Sequence, residues 1–258
     1  MGHWLDPVRG ALDHVPSPVT LFVRDDDVGW SDERLYRLLD ITRYLKVPID
    51  LAAIPDAVGP TLARELRHAM AGADNIVSAH QHGFAHVNHE ATGRKAEFGP
   101  SRPAARQRQD IAAGRMKLQD RLGVALPPIF TPPWNRCTAT TAAALVELGF
   151  QLLSRNASAP ALPEVGLEEL PVHLDWSGRR GARRGAEGWG ATIASCIAAA
   201  DGPLGLELHH AAMAGDDRKL LSELLALFTT HENMRVRSMA QCAQGSDVDG
   251  EPRLKRLG

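Results

Sequence analysis

The chain is poor in cysteine, in aromatics and in charge of one sign, and it has no long apolar run. Its three cysteines in 258 residues are Cys137, Cys196 and Cys242. They cannot all pair and form no CxxC, which excludes a disulfide-stapled scaffold and a cysteine-ligated zinc module; free thiols are expected. Aromatic residues make up 5% of the chain. No 18-residue apolar stretch exists, so no membrane span is predicted, and the first residues lack a signal-peptide apolar region; a cytoplasmic location is expected. The net charge of −2 gives no basic face, and no nucleic-acid partner is expected.

What is present is a hydrophobic fraction of 44%, enough for one large core. A single domain over residues 1–243 is expected, with a polar tail over 244–258. Residues 178–190 read as an Arg/Gly-rich insert carrying Arg179, Arg180, Arg183 and Arg184, a solvated stretch in the plainest reading.

Short apolar runs alternate with helical patterns. Strands are predicted at 19–24, 49–54, 75–80, 128–131, 150–154, 170–175, 204–209 and 234–237. Helices are predicted from a Ser31 cap through Leu45, and around 61–71, 102–122, 142–148, 191–200 and 217–230. Gly149 reads as a helix stop. This alternation argues for an α/β fold of parallel strands with helices outside, a β/α barrel ahead of an open doubly wound sheet. The chemically versatile residues fall at the C-terminal ends of strands, where a β/α barrel places its active site.

Four of the eleven histidines lie within ten residues: His80, His82, His86 and His89. A four-residue spacing brings His82 and His86 onto one face of a short helical turn, and imidazole is the commonest metal ligand. Asp25, Asp26 and Asp27 follow the first strand. Three adjacent carboxylates repel one another, and a cation relieves the repulsion. The pattern predicts a divalent metal site, most simply zinc, with cobalt, nickel or manganese as substitutes.

Further candidates are weighed against bland readings. Thr131-Pro132-Pro133-Trp134-Asn135 ends a strand stiffly and offers an indole that stacks on a sugar ring. Asp175-Trp176 and His209-His210 end later strands, and an Asp–His pair orients a general acid. Glu97 lies in a loop that either is solvated or covers substrate. His80 and His89 are expected beside the metal or the substrate.

In this order the pieces resemble carbohydrate esterase family 4, the polysaccharide deacetylases of the nodulation-deacetylase homology group, in a divergent bacterial branch. The matching segments are Arg24-Asp25-Asp26-Asp27, His82 with His86, Thr131-Pro132-Pro133-Trp134, Asp175-Trp176 and Leu206-Glu207-Leu208-His209. The resemblance spans roughly residues 18–240 and implies a distorted (β/α)7–8 barrel. It implies metal ligation by Asp27, His82 and His86, Asp26 as base and His209 as acid polarised by Asp175; a one-residue shift of the aspartate register would make Asp25 the base and Asp26 the ligand. Trp134, Pro133, Asn135, His80, His89 and Glu97 are the implied substrate contacts. Thr131 stands where the family has the arginine that holds the base; Arg24, two residues before Asp26 on the same strand face, takes that place. The implied reaction removes acetyl from an N-acetylated or carrier-linked sugar. Hydrolysis of a small non-sugar amide or cyclic ureide is the first alternative, and a non-catalytic carbohydrate-binding module the second. A homo-oligomer is compatible with each.

Overall fold

A computed structural model describes residues 3–123, 125–163, 166–177 and 186–244. The insert up to residue 185, with its four arginines, and the tail from 245 onward lie outside the described residues.

Nine strands form one sheet in which every pairing is parallel. They are β1 (Val19–Val28), β2 (Ile49–Ala53), β3 (Val77–His82), β4 (Ile129–Thr131), β5 (Leu152–Leu153), β6 (Glu168–Glu169), β7 (Leu174–Asp175), β8 (Leu204–Leu208) and β9 (Met234–Val236). The main path runs β6-β5-β4-β3-β2-β1-β8-β7. Its two end strands are consecutive in sequence, separated by residues 170–173. Within that segment Val172 N–H donates to Arg155 and His173 N–H to Gly205. The segment therefore spans from the β5 side to β8 and closes the curl into a distorted barrel. Leu21 pairs with both Leu204 and Val236, so β9 lies across β1 from β8, on the edge that β2 occupies further along.

The helices are α1 (Asp6–Asp13), α2 (Asp32–Tyr44), α3 (Pro60–Met70), α4 (Ala104–Leu122), α5 (Ala139–Glu147), α6 (Ala186–Ala198), α7 (Gly215–Thr230) and the short α8 (Met239–Ala243). None of the helices is long and apolar enough to cross a membrane among the described residues. Two helices were not anticipated from the sequence. α1 starts with Pro7 in its first turn, buries Val8 and Leu12, and packs on α6. α8 begins at a Ser238 capping box. Ser31 does occupy the N-cap of α2, but in a left-handed conformation without a side-chain cap bond. Asp32 and Glu33 in the first turn favour the helix dipole instead. Of the strand expected over 170–175 only β7 at its end forms; residues 170–173 cross irregularly, where Pro171 has no N–H to give a ladder, and the unanticipated β6 precedes them.

The outer face of the sheet packs Leu21, Val23 and Leu51 against helix residues such as Leu35, Leu38, Leu66, Leu118, Leu221 and Leu225. Inside the barrel, Phe22, Ile129, Leu152, Leu170, Val172 and Met239 form an apolar plug. One layer toward the strand C-termini the interior changes character: Arg24, His80 and Glu207 are all buried there. The plug is the floor on which the polar site rests.

Gly205 makes room for that floor. It pairs with Phe22 across β1–β8, and an added Cβ would lie 2.6 Å from the Pro171 carbonyl oxygen and 2.7 Å from Val172 Cα. Two of the obstructions are backbone and cannot rotate away. Gly205→Ala is expected to destabilise the fold by about 3 kcal/mol, the upper range for overpacking, read as a lower urea midpoint. An unchanged midpoint would mean that the 170–173 segment moves freely.

Candidate active site

Three successive aspartates at the end of β1 have three different partners. Inward alternation along β1 carries Phe22, Arg24 and Asp26 to the barrel interior, while Asp25 points outward. Asp25 accepts from His210 through Nδ1 at 2.6 Å and the backbone N–H at 3.0 Å. Asp26 is gripped by Arg24, with Nε to Oδ1 at 2.7 Å and Nη2 to Oδ2 at 2.9 Å. Asp27 breaks the alternation: its φ is +66°, and the β1–β2 register shifts between Asp25 and Val28. Its carboxylate thereby turns to the rim, where Oδ1 lies 3.3 Å from His82 Nε2 and 3.1 Å from His86 Nε2.

His82 and His86 do not share a helical turn. His82 ends β3; Gly83 and His86 both have a φ of +57°, and these two bends fold the chain back. The expected helix-like spacing is replaced by a loop, because Gly83 permits a conformation that a helix would not use. A Cβ at Gly83 would also collide with Glu97 and Pro133. The ring centroids of His82 and His86 end 5.2 Å apart.

The donor set fits a divalent cation. His82 Nδ1 faces the Thr131 carbonyl oxygen at 3.1 Å and must donate to it, which leaves Nε2 of the neutral ring as a lone pair aimed at Asp27. Neither His82 Nε2 nor Asp27 Oδ1 has a well-aligned hydrogen-bond partner, although both are buried. A proton or a cation must lie between them. One ligand atom each from Asp27, His82 and His86 falls within 4.8 Å of the others, as a two-imidazole, one-carboxylate site requires. Burial alone would raise the Asp27 pKa; with a proton on the facing His82 and His86 rings, which a cation would replace, the carboxyl is held far below its usual range.

Asp26, Glu207 and His209 form a second cluster of similar size. A positive charge already serves it: Arg24 Nη2 donates to Glu207 at 2.8 Å as well as to Asp26. Arg24 also donates to Ser154 at 2.7 Å and to Asn135 at 2.8 Å, and Asn135 donates to Glu207 at 2.7 Å. Burial opposes the charge on Asp26, yet Arg24, His82 and His209 keep it ionised below its normal pKa. Burial pushes Glu207 the other way and favours its protonated form, in spite of Arg24. Glu207 was not singled out from the sequence. Leu206, three residues before His209, faces the helices. The residue two before His209, on the same face, is Glu207, and strand alternation marks it.

Asn135 reaches this network through a strained turn. Pro133–Asn135 is a 3-10 turn in which Trp134 and Asn135 both have a φ of +57°. Of the seven non-glycine residues with positive φ among the described residues, four are Asp27, His86, Trp134 and Asn135. Each costs roughly 1–2 kcal/mol, and such strain concentrates at functional sites. The turn places the Trp134 indole 4.3 Å from the His86 ring, whose other side meets Trp30 at 4.7 Å.

His209 lies opposite, at the mouth of a cleft of about 640 Å³ lined also by Trp134, Asn135, Asp175 and Glu207. Burial would lower its pKa, but Asp26, Glu207, Asp27 and Asp175 raise it. Asp175 is 4.0 Å from His209 Nδ1, beyond a hydrogen bond. Ser177 links the two, its N–H donating to Asp175 at 2.8 Å and its hydroxyl lying 3.2 Å from His209 Nδ1.

Four expected substrate contacts have places outside the cleft lining. His80 is fully buried one layer below His82, with Nε2 2.8 Å from the Thr131 hydroxyl. Glu97 is buried and accepts from the N–H groups of Phe84 and Ala85 at 3.1 and 2.8 Å, so it clamps the loop that carries His86. His89 is exposed and does not line the cleft. Pro133 is buried under the turn and lies outside the cleft lining, next to the Trp134 and Asn135 that do line it.

His210 anchors the site from behind. Its Nε2 lies 2.6 Å from the Trp30 carbonyl oxygen, which can only accept, so Nδ1 toward Asp25 must also carry a proton. Burial would lower the His210 pKa, but Asp25 raises it to about 9. A folded pKa above the unfolded value of ~6.5 gives stability that is full below pH ~6.5 and is lost as pH rises through about 9. Urea unfolding should show wild type losing up to ~3 kcal/mol more than His210→Gln between pH 6.5 and 10. Parallel pH profiles would show that the pair is not ionic.

No family model matches the sequence, and no curated protein matches it. Solved structures do. A candidate polysaccharide deacetylase from Mycobacterium smegmatis superposes with a TM-score of 0.68 at 18% identity, covering 90% of this chain and 91% of that one. A CE4 family pseudoenzyme from Bacillus anthracis gives 0.59 at 10% identity, covering 89% and 66%. A family 4 acetyl xylan esterase from Clostridium thermocellum, in complex with a cobalt ion, gives 0.51 at 13%, covering 81% and 82%. The chain thus carries the distorted β/α-barrel fold of the family 4 carbohydrate esterases and polysaccharide deacetylases.

Proposed function

We propose that this chain is a metal-dependent hydrolase that removes acetyl from the amide of an N-acetylated sugar. The observation that carries the reading is one arrangement. Asp27, His82 and His86 converge on a point where Asp27 Oδ1 and His82 Nε2 lack partners, and the neighbouring residue, Asp26, held by Arg24, has His209 within 4.8 Å. The activities named for the structural neighbours support it.

Asp27, His82 and His86 would hold the cation, most simply zinc, with cobalt, nickel or manganese able to substitute. When bound, it supplies a Lewis acid for the acyl oxygen and lowers the pKa of water toward ~7. Asp26 accepts a proton from the attacking water, and Arg24 fixes the direction of both its oxygens. His209, surrounded by carboxylates that favour its imidazolium, gives a proton to the departing nitrogen. The products are acetate and a free amino sugar. Trp134 offers an indole face at the cleft for the sugar ring, and Asn135 holds the floor of the cleft through Arg24 and Glu207. A non-catalytic module would have no use for an Asp26 carboxylate held by Arg24 beside a His209 whose pKa the nearby carboxylates raise.

Acetate release from a panel of N-acetylated sugars, with the protein loaded in turn with each metal, tests the reading. Asp26→Asn should abolish turnover and keep the metal; His82→Ala and Asp27→Asn should lose it, as read by metal analysis. Stoichiometric metal in both of the latter variants would contradict the assignment. Release from small amides or ureides alone would replace the sugar with another amide. Arg24→Met should cut turnover by about 10²–10⁴-fold with metal content unchanged, the range for a general base set out of place. Wild-type turnover in that variant would reduce Arg24 to a packing residue.

A further inference from the structure

The cleft holds two cations that the chemistry above does not use. Arg94 and Arg136 both line it. Neither forms an ion pair with a described residue. The other charged groups of the wall are committed. Arg155 pairs with Glu169 at 2.7 Å. Glu90 accepts from the hydroxyl and N–H of Ser101 at 2.6 and 3.2 Å. Glu207 belongs to Arg24.

Arg136 is held in place rather than mobile. It follows the strained Trp134-Asn135 turn, and its Nη1 donates to the Lys95 carbonyl at 2.7 Å. The Phe98–Cys137 bridge ties the loop that carries Arg94 to the same segment. Its Nε is sealed from solvent and has no partner. Burial, and then the repulsion of Arg94, lower its pKa. Two guanidinium groups thus line one cleft with no described carboxylate paired to either. An oxyanion offsets the burial and the repulsion, because a guanidinium fork suits a carboxylate or a phosphate.

We propose that Arg94 and Arg136 form an anion subsite in the cleft, so that the N-acylated substrate carries a carboxylate or phosphate away from its scissile amide. The inference rests on the reading of this cleft as the substrate site and gives its substrate a chemical class. The position of Arg136, next to Trp134 and Asn135 and on the same wall as His209, sets the anion on a neighbouring group of the same ligand.

The test compares N-acetylglucosamine with two anionic sugars, N-acetylglucosamine 6-phosphate and N-acetylmuramic acid. Affinity is measured by calorimetry on the full chain, and acetate release is measured alongside. Wild type should bind at least one anionic sugar about 10–100-fold more tightly than the neutral one, the scale of a charge-assisted hydrogen bond. Arg136→Gln and, on the exposed loop, Arg94→Gln should each shrink that ratio toward one; Arg136→Lys should restore part of it. A preference for the phosphate or for the carboxylate identifies the anion. Equal affinity for neutral and anionic sugars, or a preference untouched by both Gln variants, overturns the subsite. If no sugar is hydrolysed but the ratio still collapses in the variants, the subsite stands and the deacetylase reading falls.

Discussion

The site is organised by one buried guanidinium. Arg24 is fully enclosed, and a charge in that position is tolerable only when every donor is matched. Here Nε and Nη2 take Asp26, Nη2 also takes Asn135 and Glu207, and Nη1 takes Ser154. Those partners come from β1, β8, the turn after β4 and the residue after β5. A single side chain thus ties four parts of the barrel wall to one centre. Removing it would leave Asp26 and Glu207 as two carboxylates facing each other without a counter-charge, a loss of about 3–5 kcal/mol for a broken buried pair.

Around that centre the backbone is bent rather than regular. Asp27, His86, Trp134 and Asn135 all adopt left-handed conformations at rim positions. Each bend redirects one side chain: Asp27 away from the β1 alternation, His86 back over His82, Trp134 against His86, and Asn135 down to Arg24. Glu97 holds the loop of His86, and the His210–Asp25 pair holds the segment that bears His209. The rigid floor of Phe22, Met239 and their neighbours resists the strain from below.

Much of the fold was legible because parallel strands covered on both faces read as apolar runs between helical patterns. The 19–24, 49–54 and 204–209 runs start where the observed strands start and end within one to four residues of them. What failed had local causes. Pro171 cut one strand short, and two bends at Gly83 and His86 replaced a helical turn, which residue spacing cannot distinguish. Glu207 was missed because the eye followed the leucines of 206–209 rather than the two-residue period of the strand. Glu97 and His210 were illegible as supports. Their partners are Phe84 and Ala85 N–H groups in one case and Asp25, 185 residues away, in the other. Such contacts exist only once the barrel closes.

The central claim is that Asp27, His82 and His86, rather than the neighbouring Asp26, Glu207 and His209, form the metal centre, because Arg24 already neutralises the second cluster. Diffraction at the zinc and cobalt absorption edges from crystals of the metal-loaded protein tests it directly. One anomalous peak within ~2.0–2.2 Å of the Asp27 oxygen and of one nitrogen on each of His82 and His86 is predicted. A peak between Asp26, Glu207 and His209 with Arg24 displaced, or no peak at either cluster, would contradict the account.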